Sequence, residues 1–209
     1  MNTKIAGAII AGGKSGRFGN INKARAMLGG KTLLEHVHDR LQPQVSALYI
    51  NCQPDFIAAS QVNSPLIAED YLPNKKGPLN GVLGALSKTI ENGFEWMLIA
   101  PCDTPFLPLN LASVLMNAAT ERNLELVIPA YKGIPQASLS LWHRNLLEPL
   151  RKSVVDHGAE GFKQFYPHTL YELLEWPQAD HNPFLNINHQ GDLSEATEVF
   201  NRLRNQGPG

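Results

Sequence analysis

The sequence has little of several features that would place it in a specialised class of protein. Cysteine occurs at only two positions, Cys52 and Cys102, without the Cys-x-x-Cys spacing of redox and zinc sites. We therefore expect both to be free, buried thiols in a reducing compartment. No apolar run approaches the ~20 residues that span a bilayer, and no secretory leader precedes the first apolar segment. These absences predict a cytoplasmic protein that has no membrane segment.

The chain also lacks an excess of charge of either sign. Its formal net charge is -1, and charged residues make up 18% of the 209 positions. A chain without surplus lysine and arginine has no electrostatic basis for binding nucleic acid or an anionic membrane. The composition that remains is typical of soluble enzymes. The chain is long enough to bury roughly two-thirds of its unfolded surface in one domain. We predict a single domain over residues 1–209.

Short apolar runs alternate with segments of helical periodicity, which is typical of an α/β protein with a parallel sheet covered by helices. In the first part of the chain the pattern predicts strands at 5–10, 48–51, 66–68, 97–100 and 126–129, with helices at 33–41, 81–90 and 109–121. The later part is less regular. There we predict a strand at 137–142, helices at 146–157 and 161–165, strands at 171–174 and 185–187, and a final helix that starts at Ser194.

The most informative stretch lies where the first predicted strand ends. The apolar run stops at Gly12 and Gly13, and Arg17 and Lys23 follow in a long basic loop. Paired glycines let the chain turn and leave consecutive N–H groups free to face an anion. The glycines alone are equally consistent with a tight turn beside solvated cations, since short glycine motifs are weak signals.

Two familiar phosphate-binding motifs do not fit this stretch. A P-loop has four residues between its first glycine and the Gly-Lys-Ser/Thr triplet, and Gly7 lies one residue too far from Gly13. A dinucleotide fingerprint needs Gly-x-Gly-x-x-Gly at the start of a helix, whereas Gly12 and Gly13 are adjacent. The loop is therefore of another kind.

Polar side chains follow the strands predicted after the first one. Asn51 ends the second strand, Asp70 follows the third, and Asp103 follows the fourth between Pro101 and Pro105. Ligands of parallel sheets bind beyond the carboxyl ends of the strands. A carboxylate held between prolines suits a hard cation such as Mg²⁺, and a turn or helix-cap aspartate is the alternative.

Two asparagines flank the strand predicted near the end of the chain. Asn186 and Asn188 lie on either side of Ile187, so the period of two in a strand directs both to the same side. From there they can orient a phosphate or a metal-bound water, and turn formation at a sheet edge is the other interpretation.

Together these motifs resemble the molybdenum cofactor guanylyltransferase family, within the Rossmann-like nucleotidyltransferases. The matching segments occur in order over nearly the whole chain: residues 9–19, Lys23, 28–33, 50–51, 69–70, Gly-Pro-Leu-x-Gly at 77–81, Pro-Cys-Asp-Thr-Pro at 101–105, and Leu-Asn-Ile-Asn at 185–188. The resemblance implies a three-layer fold with a mostly parallel sheet flanked by helices. Within it, residues 1–130 would bind the nucleotide and 131–209 would form the acceptor side.

The resemblance also implies a reaction. The family transfers GMP from Mg·GTP to the terminal phosphate of molybdopterin and releases pyrophosphate. The residues carried over to nucleotide binding or catalysis are Ile10, Ala11, Gly12, Gly13, Arg17, Lys23, Asn51, Asp70, Asp103, Asn186 and Asn188, with Asp103 as the Mg²⁺ ligand. Implied partners are GTP, molybdopterin and, transiently, other proteins of cofactor biosynthesis.

The chain departs from the family pattern around the lysine. Where the family commonly has Asp-Lys-Gly or Asp-Lys-Pro, this chain has Asn22-Lys23-Ala24-Arg25. Relatives that use CTP tend to have Ala-Ala-Gly where this chain has Ala-Gly-Gly, which favours GTP. Two alternatives remain: a nucleotidyltransferase that uses CTP or another phosphorylated acceptor, and a non-catalytic nucleotide-binding accessory protein.

Overall fold

The computed structural model describes residues 4–11, 23–52, 62, 66–68, 70–73 and 77–205. Its strands are β1 (Ile5–Ile10), β2 (Met27–Leu28), β3 (Lys31–Thr32), β4 (Ala47–Asn51), β5 (Leu66–Ala68), β6 (Trp96–Pro101), β7 (Leu126–Tyr131), β8 (Ile134–Pro135), β9 (Leu141–His143) and β10 (Tyr171–Glu175). Its helices are α1 (Leu33–Leu41), α2 (Pro78–Glu91), α3 (Leu111–Arg122), α4 (Leu147–Val155) and α5 (Gln190–Asn205).

The main sheet is mixed and mostly parallel. Its strands lie in the order β10-β7-β9-β6-β1-β4-β5, with β8 paired to β7. Strands β6, β1, β4 and β5 are mutually parallel, as are β10 and β7, whereas β9 runs antiparallel between β6 and β7. Strand β1 therefore lies inside the parallel half, which explains its nearly continuous apolar sequence. The predicted α/β class is confirmed.

Helices cover both faces of this sheet. Alternate residues of β1 enter two different apolar clusters, because successive side chains of a strand point to opposite faces. Helices α1 and α3 contribute to the first cluster and α2 and α4 to the second. The predicted three-layer architecture is confirmed.

Helix α2 begins three residues earlier than the sequence pattern predicts. Gly77 has a φ of +94°, a conformation that favours glycine, and Pro78 occupies the first turn of the helix. A proline there loses no helical hydrogen bond, because the first N–H groups of a helix have no partner within it. The Gly-Pro-Leu-x-Gly segment at 77–81 is thus the start of the helix.

A third apolar cluster joins α5 to the small β2–β3 hairpin. It contains Leu28, Ile187, Ala196 and Val199, with Phe200 packed against it. A Cβ on Gly29, in the hairpin turn, would come within 2.1 Å of the Phe200 ring. Backbone and ring therefore pack directly, and the hairpin and the C-terminal helix form one unit.

Three predictions for the later part of the chain are wrong in detail. The strand predicted at 137–142 is limited to β9, because residues 136–140 form a turn closed by the Leu139 N–H and the Gln136 carbonyl at 2.8 Å. Residues 185–187 have no regular secondary structure, and the Ile187 N–H donates to the Asp103 carbonyl at 2.9 Å. The final helix starts at Gln190 and not at Ser194.

The expectation that both cysteines are free and buried is confirmed. Cys52 and Cys102 are both buried and free. Burial raises the pKa of the Cys52 thiol to about 11 and that of Cys102 further, so neither is a ready nucleophile. Among the described residues, no helix is both long and apolar enough to cross a bilayer.

Candidate functional site

The carboxyl ends of the parallel strands bring the predicted polar residues to one edge of the sheet. Hydrogen bonding continues past the strand ends: the Ala11 N–H donates to the Asn51 carbonyl at 2.8 Å, and the Cys102 N–H donates to the Ile10 carbonyl at 3.2 Å. The end of β1 is thereby flanked by Asn51 on one side and by the segment carrying Asp103 on the other. This is the edge at which open parallel sheets bind ligands.

A lysine-centred cluster lies on the β6 side of this edge. The Lys23 ammonium donates to Oδ2 of Asp103 at 3.3 Å and to Oδ1 of Asn188. Lys23 lies in a short 3₁₀ turn that leads into the β2–β3 hairpin, and Asn188 lies two residues before the first residue of α5. Two segments far apart in sequence therefore converge on one ammonium group.

Asp103 is buried, with 7% of its surface exposed. Burial raises the pKa of its carboxyl group, while the Lys23 ammonium and the Asn186 amide oppose the rise. Its Oδ1 is buried without a hydrogen-bond partner among the described residues, and so is Oδ1 of Asn186. Buried polar oxygens are normally paired, so these two are candidates for an additional ligand.

A second cluster lies on the β4 side. Partial desolvation of the Asp70 carboxyl group raises its pKa, and a hydrogen bond from the Asn51 side chain opposes the rise. Gly81 of α2 packs against both: a Cβ there would be 2.6 Å from Oδ1 of Asn51 and 3.2 Å from Oδ1 of Asp70. The helix and the strand end approach this closely because the residue between them has no side chain.

The structure brings most of the predicted site residues to this edge. Lys23, Asp103, Asn186 and Asn188 share one cluster, and Asn51 and Asp70 share the other. The asparagines reach the same cluster although they flank no strand, because the intervening Ile187 points into the third apolar cluster. The predictions for Gly12, Gly13 and Arg17 lie outside the described residues.

Sequence reasoning missed two residues that shape the site. The Asn80 side chain accepts from the Leu72 N–H and donates to the Leu72 carbonyl, both at 2.8 Å, and so fixes the segment after Asp70 to α2. Oδ2 of Asp192 accepts the N–H groups of Asn188 and His189 at 2.7 and 2.8 Å. Asp192 lies two residues after Gln190, the first residue of α5, and an acidic residue in the first turn of a helix was the available signal for it.

Comparison with known proteins decides the family. The profile described as MobA-like NTP transferase domain matches residues 7–170. The chain belongs to this family. It is therefore a nucleotidyltransferase.

Curated relatives match over almost their full length. Proteins named molybdenum cofactor guanylyltransferase are 32% identical over 195 residues in Nitrobacter hamburgensis, covering 92% of this chain and 93% of the relative, and 34% identical over 190 residues in Rhodopseudomonas palustris, covering 90% and 88%. A solved structure from Archaeoglobus fulgidus, molybdopterin-guanine dinucleotide biosynthesis protein A, has a TM-score of 0.76 at 21% identity, covering 94% of this chain and 99% of that one. The structural likeness supports the fold.

The packing at Gly81 leads to a specific expectation. In a helix interior, glycine to alanine ordinarily stabilises by about 1 kcal/mol. Here the new methyl group would displace Asn51 and Asp70, so Gly81→Ala should lower the melting temperature and weaken nucleotide binding by about tenfold or more. Thermal melting and nucleotide titration measure the two effects. A variant that is more stable than wild type and binds normally would contradict this account.

A matched control exists in α5. At Gly191 an added Cβ would meet no atom within 4 Å. Gly191→Ala should therefore follow the ordinary helical trend and bind nucleotide as wild type does.

Proposed function

We propose that this protein transfers GMP from GTP to the terminal phosphate of molybdopterin, in a reaction that requires Mg²⁺ and releases pyrophosphate. The observation that carries the proposal is the partly buried Lys23–Asp103 ion pair beside the end of β1. It occurs in a chain that matches relatives named molybdenum cofactor guanylyltransferase over more than 90% of its length.

The chemistry asks for charge neutralisation and alignment more than for a nucleophilic side chain. An oxygen of the acceptor phosphate attacks the α-phosphorus of GTP, the bond from that phosphorus to the bridging oxygen breaks, and pyrophosphate leaves with the electron pair. Because the acceptor is already an anion, no side chain has to remove a proton from it. Preorganised cations and N–H donors therefore supply what the reaction needs.

Each cluster has a role in this proposal. The main chain of Ile10, Ala11, Gly12 and Gly13 would contact the nucleotide, and Lys23, with Arg17, would balance the phosphate charge. Asn51 and Asp70 would bind the nucleotide on the β4 side, next to the glycine at position 81. Asn186 and Asn188 would orient the phosphates from the acceptor side, which residues 131–209 form.

The residues present suit a magnesium ion. Mg²⁺ takes oxygen ligands and is usually held by one or two carboxylates together with substrate phosphates and water. Asp103 has a buried carboxylate oxygen without a partner in the described part of the chain, and Asn186 adds an amide oxygen of the same kind. No group of three His, Cys, Asp or Glu side chains forms a metal centre among the described residues, so Asp103 would be the principal protein ligand. When bound, the ion would neutralise charge on the transferring phosphate.

The proposal is tested by incubating the protein with Mg²⁺, molybdopterin and one nucleoside triphosphate at a time, and identifying the products by mass spectrometry. We expect the guanine dinucleotide and pyrophosphate from GTP, and no product when Mg²⁺ is removed with a chelator. A cytosine dinucleotide would support the CTP-using alternative. Binding of GTP with no product from any triphosphate would support a non-catalytic accessory role.

The cellular location and the partners that we propose follow from the chemistry of the substrates. Both are small anions, so a chain of net charge -1 needs no nucleic acid or membrane surface for this work. A cytoplasmic location, and transient contacts with other proteins of cofactor biosynthesis that supply the pterin and receive the product, belong to the same proposal.

A further inference from the structure

The Lys23 ammonium is held from two sides, and the two sides differ in burial and in secondary structure. Asp103 follows the central strand β6 and is buried. Asn188 lies in a stretch without regular secondary structure and is only half buried. The position of Asn188 therefore depends on what fixes the main chain around it.

One carboxylate oxygen holds that main chain on the α5 side, and the bond from the Ile187 N–H to the Asp103 carbonyl at 2.9 Å holds it on the other side. Oδ2 of Asp192 accepts the N–H of Asn188 at 2.7 Å and the N–H of His189 at 2.8 Å. Asp192 lies in the first turn of α5, where the helix dipole favours a negative charge. The same carboxylate thus caps the helix and holds the residue whose side chain binds Lys23.

The helix that carries Asp192 is itself attached to the segment that carries Lys23. The α5 residues Ala196 and Val199 pack in one cluster with Leu28 of the hairpin, and Phe200 lies against the hairpin turn. Lys23 lies in the 3₁₀ turn at residues 23–25, directly before that hairpin. Helix, hairpin and lysine therefore have little freedom relative to one another, and Asp192 completes the connection on the Asn188 side.

We propose that Asp192 is a positioning residue for nucleotidyl transfer, acting through Asn188 on the Lys23 ammonium. The kinetic consequence of this inference rests on the proposed function. The predicted effect on the contacts of Lys23 does not. If Asp192 only capped the helix, its loss would reduce stability and leave the reactivity of Lys23 unchanged.

The first test does not depend on activity. The rate at which an amine-directed acylating reagent modifies Lys23 is measured by peptide mass spectrometry in wild type, Asp192→Ala, Asn188→Ala and the double variant. We expect labelling of Lys23 to be about threefold faster or more in each single variant, and no faster in the double variant, because the two changes release the same contact. Labelling of Lys31, whose partner is Asp39, should be unchanged and serves as the internal reference.

The second test is kinetic and uses the same cycle. We expect kcat of Asp192→Ala to fall by about tenfold with a smaller change in KM for GTP, and Asp192→Ala to have no further effect on kcat in the Asn188→Ala background. Asp192→Asn, whose amide oxygen can accept both N–H groups, should restore most of the turnover. Glu195→Ala, an exposed change on the same helix, is the control for a general effect on α5.

The outcomes separate the two proposals. Unchanged labelling of Lys23 in Asp192→Ala, or labelling effects that multiply in the double variant, would overturn the inference whatever the reaction is. A wild-type protein that makes no guanine dinucleotide would overturn the proposed function alone. If Asp192→Ala yields too little folded protein, Asp192→Ser, which is too short to reach both N–H groups, is put through the same labelling cycle with the same criteria.

Discussion

Asp103→Asn is expected to reduce turnover by about a hundredfold or more and to weaken Mg²⁺ binding in parallel, since even outer-shell changes at metal sites cost up to about a hundredfold. Asparagine keeps the shape of the side chain and its ability to accept from Lys23, but it removes the negative charge that a hard cation needs. The check is pyrophosphate release from GTP as a function of Mg²⁺ concentration for both proteins.

The same variant should melt at a temperature no lower than that of wild type. Burial raises the pKa of Asp103 in the folded protein, which means that folding disfavours the ionised form of this carboxyl group. A neutral asparagine does not carry that cost near pH 7. Loss of activity without loss of stability would therefore identify a functional carboxylate.

Two results would count against this account of Asp103. A wild-type Mg²⁺ curve for Asp103→Asn would leave a turn or cap role for the residue, with Asp70, Asn186 and Asn188 as the remaining candidates for the metal. If Asp103→Asn were inactive because it is unfolded, the expectation for its melting temperature would be wrong. Asp156→Asn, an exposed aspartate at the end of α4, is the matched control and should behave as wild type.

Lys23→Ala is expected to slow transfer by about a hundred- to a thousandfold, the range seen when one preorganised donor is removed from a developing charge. Lys23 is positioned for this role by Asp103 and Asn188. The change in melting temperature should stay small, because the Lys23 side chain is partly exposed and belongs to none of the three apolar clusters. Single-turnover measurements of pyrophosphate release, beside thermal melting, check both parts.

The control for Lys23 is Lys31→Ala, which also removes one lysine from the same part of the chain. Lys31 pairs with Asp39 at the surface, where such pairs contribute little. If Lys23→Ala were as active as this control, the phosphate charge would have to be balanced by Arg17 or Arg25, and the position of Lys23 beside Asp103 would need another explanation.

Much of the fold could be predicted from the sequence because the parallel half of the sheet is buried on both faces. Strand β1 has the bounds that its apolar run predicts, and the ends of β4 and β6 place Asn51 and Asp103 at one edge. Burial leaves an apolar signal that ends sharply at the polar residues of the site. The positions of these polar residues in the chain could therefore be predicted from the sequence, although their contacts could not.

The contacts that complete the site could not be predicted, for physical reasons that differ by residue. Ser194, with acidic residues after it, satisfies the rules for a helix start, but Asp192 caps the helix earlier by accepting main-chain N–H groups outside it. Asn188 contacts Lys23 from a segment that has no regular secondary structure and that is not paired with a strand of the described sheet. Interactions of this kind depend on tertiary packing, which local patterns do not encode.

The distances along the chain between the partners of Lys23 have a consequence for biosynthesis. Asp103 is 80 residues from Lys23 and Asn188 is 165 residues from it. A polypeptide emerging from the ribosome can pair β1, β4 and β6 well before residue 188 has been made, since chains grow at roughly 5–20 residues per second. The contacts of Lys23 are therefore completed last, and the nascent protein passes through a stage in which the sheet is built but this lysine is not yet held from both sides.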